Sequence, residues 1–168
     1  GGAITITTST GDLTTGPFYA KGGSVISGAG MAGGAVTLGA AGKLNVLNLI
    51  DTQGSAGGPN AGGAGGAITL SGANGIVHSG TIRTGGGSGS TVGAGGDVTF
   101  NSDTLWDFDL SVSTGGGAGD ITFAGTLDSV SRAAYDITLT AGTGDINFDG
   151  AVGNTRALDA VTINSAAT

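Results

Sequence analysis

The stretch GGAVTL, residues 33–38, decides the fold, because close copies of it recur along the whole chain. The other copies are GGAITI at 1–6, GGAITL at 65–70, GGDVTF at 95–100, AGDITF at 118–123 and TGDINF at 143–148. Successive copies start 32, 32, 30, 23 and 25 residues apart. A motif that returns at intervals of about 20 to 50 residues is typical of repeat proteins whose units stack on their neighbours.

Each copy alternates apolar and polar residues, which is the period of a β-strand with one buried face. The last apolar position gives the column Ile6, Leu38, Leu70, Phe100, Phe123 and Phe148, and the apolar position before it gives Ile4, Val36, Ile68, Val98, Ile121 and Ile146. Between them lie Thr5, Thr37, Thr69, Thr99, Thr122 and Asn147. Strands stack about 4.8 Å apart, so we expect two buried apolar ladders and one outward ladder of hydroxyl groups.

The repeats predict an all-β, right-handed parallel β-solenoid of about six coils with no substantial helix. The coils are expected to start near residues 1, 33, 65, 95, 118 and 143, and the handedness follows from the usual crossover rule. Propeller blades need about 40 residues each, and a sandwich does not explain why one motif returns. The best candidate for a helix is Ser129–Tyr135, which is barely two turns long.

The chain opens at Gly1 in the middle of the pattern, without an initiator methionine or a signal peptide. We therefore expect residues 1–168 to be a single solenoid segment of a longer repeat protein. Neither end carries a capping helix, so the terminal coils are expected to meet either neighbouring coils of the parent chain or another copy of the segment.

Composition restricts the function classes. The 168 residues include 38 Gly, 12 acidic residues and only five Lys or Arg, for a net charge of −7. Nucleic-acid binding depends on clustered Lys and Arg, so the sequence predicts no nucleic-acid partner. No cysteine is present, which excludes disulfides and thiolate metal sites. No apolar run approaches the roughly 20 residues of a membrane-spanning helix, and no membrane insertion is predicted.

Several segments resemble the repeats of filamentous-haemagglutinin-like bacterial giant adhesins: GGAVTLGAAGKLNV from residue 33, AGGDVTFNSDTL from 94, and YDITLTAGTGDINFDGAVGNTRALDAVTINSA from 135. The resemblance covers essentially the whole chain. It implies a parallel β-helix exported by a two-partner or autotransporter route to the bacterial cell surface or the extracellular space. The expected role is a structural or adhesive rod that is not an enzyme, with cell-surface glycans or a host surface as candidate partners.

Asp97, Asp120 and Asp145 occupy the same place in the last three copies, immediately before the first ladder residue. Three carboxylates stacked at coil spacing repel one another, and a cation such as Ca²⁺ would relieve that repulsion. The alternative is that each Asp accepts backbone N–H bonds in its turn. A Ca²⁺ ladder is the one cofactor hypothesis that the sequence offers.

Catalytic side chains are scarce. His78 is the sole histidine, and the sequence predicts a turn or surface position for it. The best enzymatic hypothesis is a polysaccharide-active β-helix, in which Asp103, Asp107 and Asp109 supply acid and base while a sugar stacks on Trp106. The alternative interpretation, which we favour, is that Trp106 and Phe108 fill the coil. GAGMAG at 28–33 matches a dinucleotide-binding pattern, but a strand follows it rather than a helix, so the match is coincidental.

Two further features are open to more than one interpretation. The Thr ladder is compatible with an ice-binding surface, but the next outward column, which includes Gly39, Ala124 and Asp149, is irregular. The Gly-rich tracts at 54–66, 85–96 and 115–119 are either flexible binding loops or tolerated insertions that lengthen the first coils. A self-assembling extracellular fibre or sheath subunit, joined end to end, is the main alternative to the adhesive rod.

Overall fold

The computed structural model describes residues 1–130 and 135–168 as a stack of coils, each built from short strands. The strands of the first three coils are β1 (Ile4–Thr7), β2 (Leu13–Thr15) and β3 (Phe18–Tyr19), then β4 (Val36–Ala40), β5 (Leu44–Leu47) and β6 (Ile50–Asp51), then β7 (Ile68–Gly72), β8 (Ile76–Ser79) and β9 (Thr81–Arg83). Those of the remaining coils are β10 (Val98–Phe100), β11 (Thr104–Trp106) and β12 (Leu110–Ser113), then β13 (Ile121–Phe123), β14 (Leu127–Ser129) and β15 (Ile137–Thr140), then β16 (Ile146–Phe148) and β17 (Val161–Ser165).

Equivalent strands of successive coils pair in parallel and form three sheets that run the length of the molecule. Sheet A contains β1, β4, β7, β10, β13 and β16, sheet B contains β2, β5, β8, β11 and β14, and sheet C contains β3, β6, β9, β12, β15 and β17. The predicted all-β parallel solenoid is therefore confirmed. Among the described residues, five coils have a strand in every sheet, whereas the last coil reaches sheet B only through a bridge between Val152 and Leu127.

The apolar columns lie in register inside the coil. Ile6 pairs with Leu38 and Leu38 with Leu70, and the column continues through Phe100 to Phe123 and Phe148. The Phe100 and Phe123 rings stack with centroids 4.7 Å apart, and those of Phe123 and Phe148 are 5.2 Å apart. The three phenylalanine rings thus form a continuous stack inside the last coils.

After β3, β6 and β9 the chain leaves the coil, turns back and only then enters the next strand of sheet A. We call these excursions the glycine arms (residues 20–35, 52–67 and 84–97); each has an outgoing and a returning limb. One line of backbone hydrogen bonds crosses all three arms, from Gly93 to Gly87, Gly63, Ser55 and Met31, with N–O distances of 2.8–2.9 Å. Of the glycine-rich tracts in the sequence, 54–66 and 85–96 lie in arms that lengthen the second and third coils and that pack on one another as a second layer, whereas 115–119 lies outside the arms.

The hydrogen bonds of the arms recur every third residue. The Gly54 and Gly57 amides donate to the next outgoing limb, and those of Gly62 and Gly65 to the next returning limb. A spacing of three residues between such bonds matches the residue period of extended polyproline-II backbone. A Cβ added at Gly63 or Gly87 would overlap a backbone carbonyl of a neighbouring limb, so close backbone packing requires glycine there.

A buried threonine closes each of three turns from sheet C. Thr52, Thr84 and Thr114 are fully buried, and their hydroxyls donate to the carbonyls of Gly66, Gly96 and Gly119 at 2.6, 2.5 and 2.8 Å. The amides of Gly66 and Gly96 return bonds of 2.8 Å to the Thr52 and Thr84 carbonyls. Ala20 and Ala141 occupy corresponding buried positions in other coils.

Two sequence predictions about individual segments need comment. Phe108 does not fill the coil, because 62% of its surface is exposed and its ring lies against Tyr135 on the outside. In the candidate helix Ser129–Tyr135, Ser129 ends strand β14, and residues 131–134 lie outside the described residues.

Candidate functional site: a groove on the outer face of sheet B

The outward rows of the three sheets differ in chemistry. Sheet A presents the threonine ladder in register, and sheet C presents hydroxyl groups through Thr81, Ser111, Thr138 and Thr162. Sheet B presents the row Thr14, Asn45, Val77, Leu105 and Asp128. Val77 and Leu105 thus place two half-buried apolar side chains beside each other on an outer surface that is otherwise polar in these rows.

These two side chains form the floor of a groove of about 360 Å³. Lys43 and Asn74 line it toward the first coils, and Thr155 and Arg156 line it toward the last. Lys43 and Arg156 are four coil steps apart, which corresponds to about 19 Å along the axis at about 4.8 Å per step. The groove therefore runs across the strands, parallel to the solenoid axis.

Local sequence builds both ends of the groove. Asn74 and Gly75 form a turn before β8, where Gly75 takes a positive φ of 90° that favours glycine. At the other end, Asp128 is 4% exposed and its Oδ1 accepts the backbone N–H groups of Thr155 and Arg156 at 2.9 and 3.1 Å. This carboxylate holds the 155–156 segment outside the coil as a wall.

Two cations, Lys43 and Arg156, and two carboxylates, Asp103 and Asp128, line the groove. In the part of the chain that the structure describes, the one ion pair joins Lys21 to Asp51 at 3.3 Å. Lys43 and Arg156 make no ion pair with any described residue, although the chain carries a net charge of −7. The Asp103 carboxylate beside them uses one oxygen to accept the Thr126 backbone N–H at 2.8 Å, and its other oxygen can accept from a ligand.

The three aspartates predicted as a cation ladder stack in register and bind backbone groups. Asp97 Oδ1 accepts the Asp120 N–H, and Asp120 Oδ1 accepts the Asp145 N–H, both at 2.9 Å. Asp145 Oδ1 accepts the Thr168 hydroxyl at 2.6 Å. Each of the first two carboxylates thus bonds the amide of the next coil rather than one in its own turn. The Ca²⁺ hypothesis stays a prediction, and residues 1–130 and 135–168 contain no group of three or more acidic or histidine side chains arranged to hold a metal.

The same bond recurs at other corners of the solenoid. The Oδ1 atoms of Asp12 and Asp109 accept the N–H groups of Lys43 and Asp136, one coil further on, at 2.7 and 3.0 Å. An aspartate immediately before a strand is therefore a cap on the next coil. The sequence signal was present, because Asp precedes many of the strands, but its partner could not be read without the coil register.

His78 lies in the core, which overturns the prediction of a surface or turn position. It is fully buried in β8, its Nδ1 lies 3.2 Å from the Val46 carbonyl, and its ring meets Trp106 edge to face at 5.8 Å. Burial lowers the pKa of His78 from 6.5 to about 4, although the Val46 carbonyl raises it in part. The imidazole is neutral at pH 7, and alternation sends it inward because Ile76 and His78 share one face.

Trp106 is not available to stack on a sugar, as the enzymatic hypothesis requires. Trp106 is fully buried and packs edge to face against Phe100 and Phe123, at 5.5 and 6.2 Å between centroids. No sugar can reach this indole without unfolding the coil. Asp103 and Asp109 lie at the surface and bind backbone amides of the next coil.

No helix among the described residues is long and apolar enough to cross a membrane. Comparisons with protein-family models, with curated proteins and with solved structures give no match.

Proposed function

We propose that this chain is a rod segment of a secreted bacterial surface protein, with a structural and adhesive role. The observation that carries the proposal is the continuous parallel stacking of sheets A and C across every coil, with one register shift where β17 pairs with β15. Such stacking extends a molecule along one axis and presents the same kinds of outer surface at each step. The resemblance to giant-adhesin repeats gives the proposal its cellular setting outside the bacterium.

Adhesion through a rod depends on many weak contacts acting together. The test is retention under flow of microspheres coated with the chain on cultured epithelial cells. The control is a coating of the same chain that has been denatured beforehand and shown to be unfolded. We expect retention with the folded coating only. Equal retention of both coatings would contradict an adhesive role for the folded surface.

A self-assembling fibre is the alternative that one observation favours. Val161 and Ile163 of the edge strand β17 are 42% and 51% exposed, and the apolar residues of β1 at the opposite end are only partly buried. Open parallel edges of this kind can pair with another chain. Filaments visible by electron microscopy at micromolar concentration, abolished by Ile163→Lys but not by Val92→Lys on a glycine arm, would establish this assembly. A stable monomer would exclude it.

A further inference from the structure

We infer that the groove on the outer face of sheet B is a binding site for a short linear saccharide. The groove combines an apolar floor, Val77 and Leu105, with polar groups of several kinds around it: the Lys43 ammonium, the Asn74 amide, the Asp103 carboxylate and the Arg156 guanidinium. Ligand sites in general place a few polar groups around an apolar surface, and a volume of about 360 Å³ falls within their usual range.

The mixture of donors and acceptors fits hydroxyl-rich ligands. A sugar hydroxyl both donates and accepts, so it can bond a carboxylate, an amide and a cation at once. The C–H face of a sugar ring is apolar and can cover the Val77 and Leu105 side chains. The direction of the groove agrees with a chain of sugar units, because it crosses several coils along the solenoid axis.

A peptide fits this face less well. Extended peptides commonly bind by adding a strand to an exposed sheet edge. Strands β8 and β11 under the groove are each paired on both sides, β8 with β5 and β11, and β11 with β8 and β14. No backbone edge is available on the groove floor, so recognition there must use side chains.

The charged lining sums to zero, but the Asp128 oxygen Oδ1 already accepts two backbone N–H groups, so a carboxylate-bearing sugar would bind through Lys43 and Arg156. The two cations that line the groove have no acidic partner among the described residues. Arg is well suited to carboxylates because its planar guanidinium can donate two parallel hydrogen bonds. A neutral saccharide would use the floor, Asn74 and Asp103, whereas an acidic one would also engage Lys43 and Arg156.

The experiment is isothermal titration calorimetry of the chain with two probes, tetragalacturonate and cellotetraose. We expect saturable binding of tetragalacturonate with one site per chain, weakened by about tenfold in Arg156→Gln and in Lys43→Gln. Leu105→Ser should weaken binding of any probe that binds the wild type. Two matched controls lie outside the groove: Arg83→Gln on sheet C and Leu47→Ser, an exposed apolar residue, should both leave binding unchanged.

The outcomes separate the sources of affinity. Binding of both probes supports a site for saccharides in general, and binding of tetragalacturonate alone supports one for acidic saccharides. Each variant must have the same unfolding midpoint as the wild type. If Leu105→Ser is unstable, Lys43→Gln still tests the groove, because it changes a side chain at the surface. Failure of both probes to bind, or an equal loss in Arg83→Gln that shows diffuse charge attraction, would overturn the inference. The inference rests on the proposed adhesive role only for the cellular location of the saccharide. The two can fail separately, because the retention assay tests adhesion by the whole surface and calorimetry tests the groove.

Discussion

Single polar side chains fasten the glycine arms to the coil. Thr84 is fully buried, its hydroxyl donates to the Gly96 carbonyl, and its own carbonyl accepts the Gly96 N–H. A buried carbonyl that loses its partner is destabilising, because no water replaces the lost hydrogen bond. Thr52 and Thr84 therefore join the point where the second and third arms leave the coil to the point where each returns.

Thr84→Val tests this role. The substitution keeps the shape of the side chain but removes the hydroxyl, so we expect the free energy of unfolding to fall by about 1–3 kcal/mol. Thr99→Val, the same change in the outward ladder of sheet A, should alter stability by less than about 0.5 kcal/mol. Urea denaturation followed by circular dichroism measures both. Equal effects of the two variants would show that the buried hydroxyl has no special role.

His78 makes stability depend on pH. The folded chain favours the neutral imidazole, since burial lowers the pKa to about 4 from 6.5. Its contribution is therefore fully present above pH 6.5 and is lost as the pH falls toward 4. Between pH 8 and pH 5 we expect the wild type to lose roughly 2 kcal/mol more stability than His78→Leu. Urea midpoints across this range measure the difference, and parallel pH profiles for the two proteins would contradict it.

At the scale of elements, the glycine arms and the strands obey different packing rules. The strands bury alternate side chains, as β4 and β7 do with the burial of Val36, Leu38, Ile68 and Leu70. The arms bury backbone against backbone, with hydrogen bonds in more than one direction and no room for Cβ atoms at their contacts. The glycine content is therefore a requirement of the second layer.

Gly87→Ala should destabilise the chain by about 1–3 kcal/mol, the usual range for overpacking. The added methyl group would overlap the Ser55 carbonyl oxygen, and both Gly87 backbone groups bond other limbs. Gly116→Ala is the matched control, because a Cβ at Gly116 meets nothing within 4 Å. Thermal unfolding measured by circular dichroism compares them. A Gly87→Ala protein as stable as the control would mean that the arms are loosely packed.

At the scale of the whole molecule, the stabilising contacts follow the solenoid axis, from each coil to the next. Each coil contacts mainly its neighbours, so local losses are expected to spread to adjacent coils rather than to the entire stack. The aromatic interior of the last coils provides such contacts, with the Phe123 ring stacked between Phe100 and Phe148 and with Trp106 edge to face against Phe123.

Phe123→Ala should lower the free energy of unfolding by about 3–5 kcal/mol through the cavity that it leaves. Phe108→Ala is the control, since that ring is 62% exposed and should contribute less than about 0.5 kcal/mol. Hydrogen exchange followed by mass spectrometry should show faster exchange in the coils around Phe123 than in the first two coils. Uniform acceleration over the entire chain would contradict axial, coil-by-coil coupling.

The register of the coils was predictable from two features of the sequence. The two-residue period shows which side chains point inward, and the recurring motif shows which residues of successive coils align. Ile6, Leu38 and Phe100 could be assigned to the interior from alternation alone, and the strand pairs agree. Phe108 and His78 were misassigned for opposite reasons. Phe108 follows a corner where the alternation of inward and outward residues breaks, so its hydrophobicity alone did not show which way its side chain points. His78 keeps the alternation of β8, and its side chain lies inside despite its polarity.

The sequence by itself determined the strand motif, the parallel stacking and the apolar interior, because these depend on periods within one short segment and on its repetition. Only the tertiary structure decided which amide each aspartate caps, how the glycine arms pack and where Lys43, Leu105 and Arg156 meet. Those features join residues from different coils. Their contacts depend on corner lengths and on the path of the backbone, which no local period encodes.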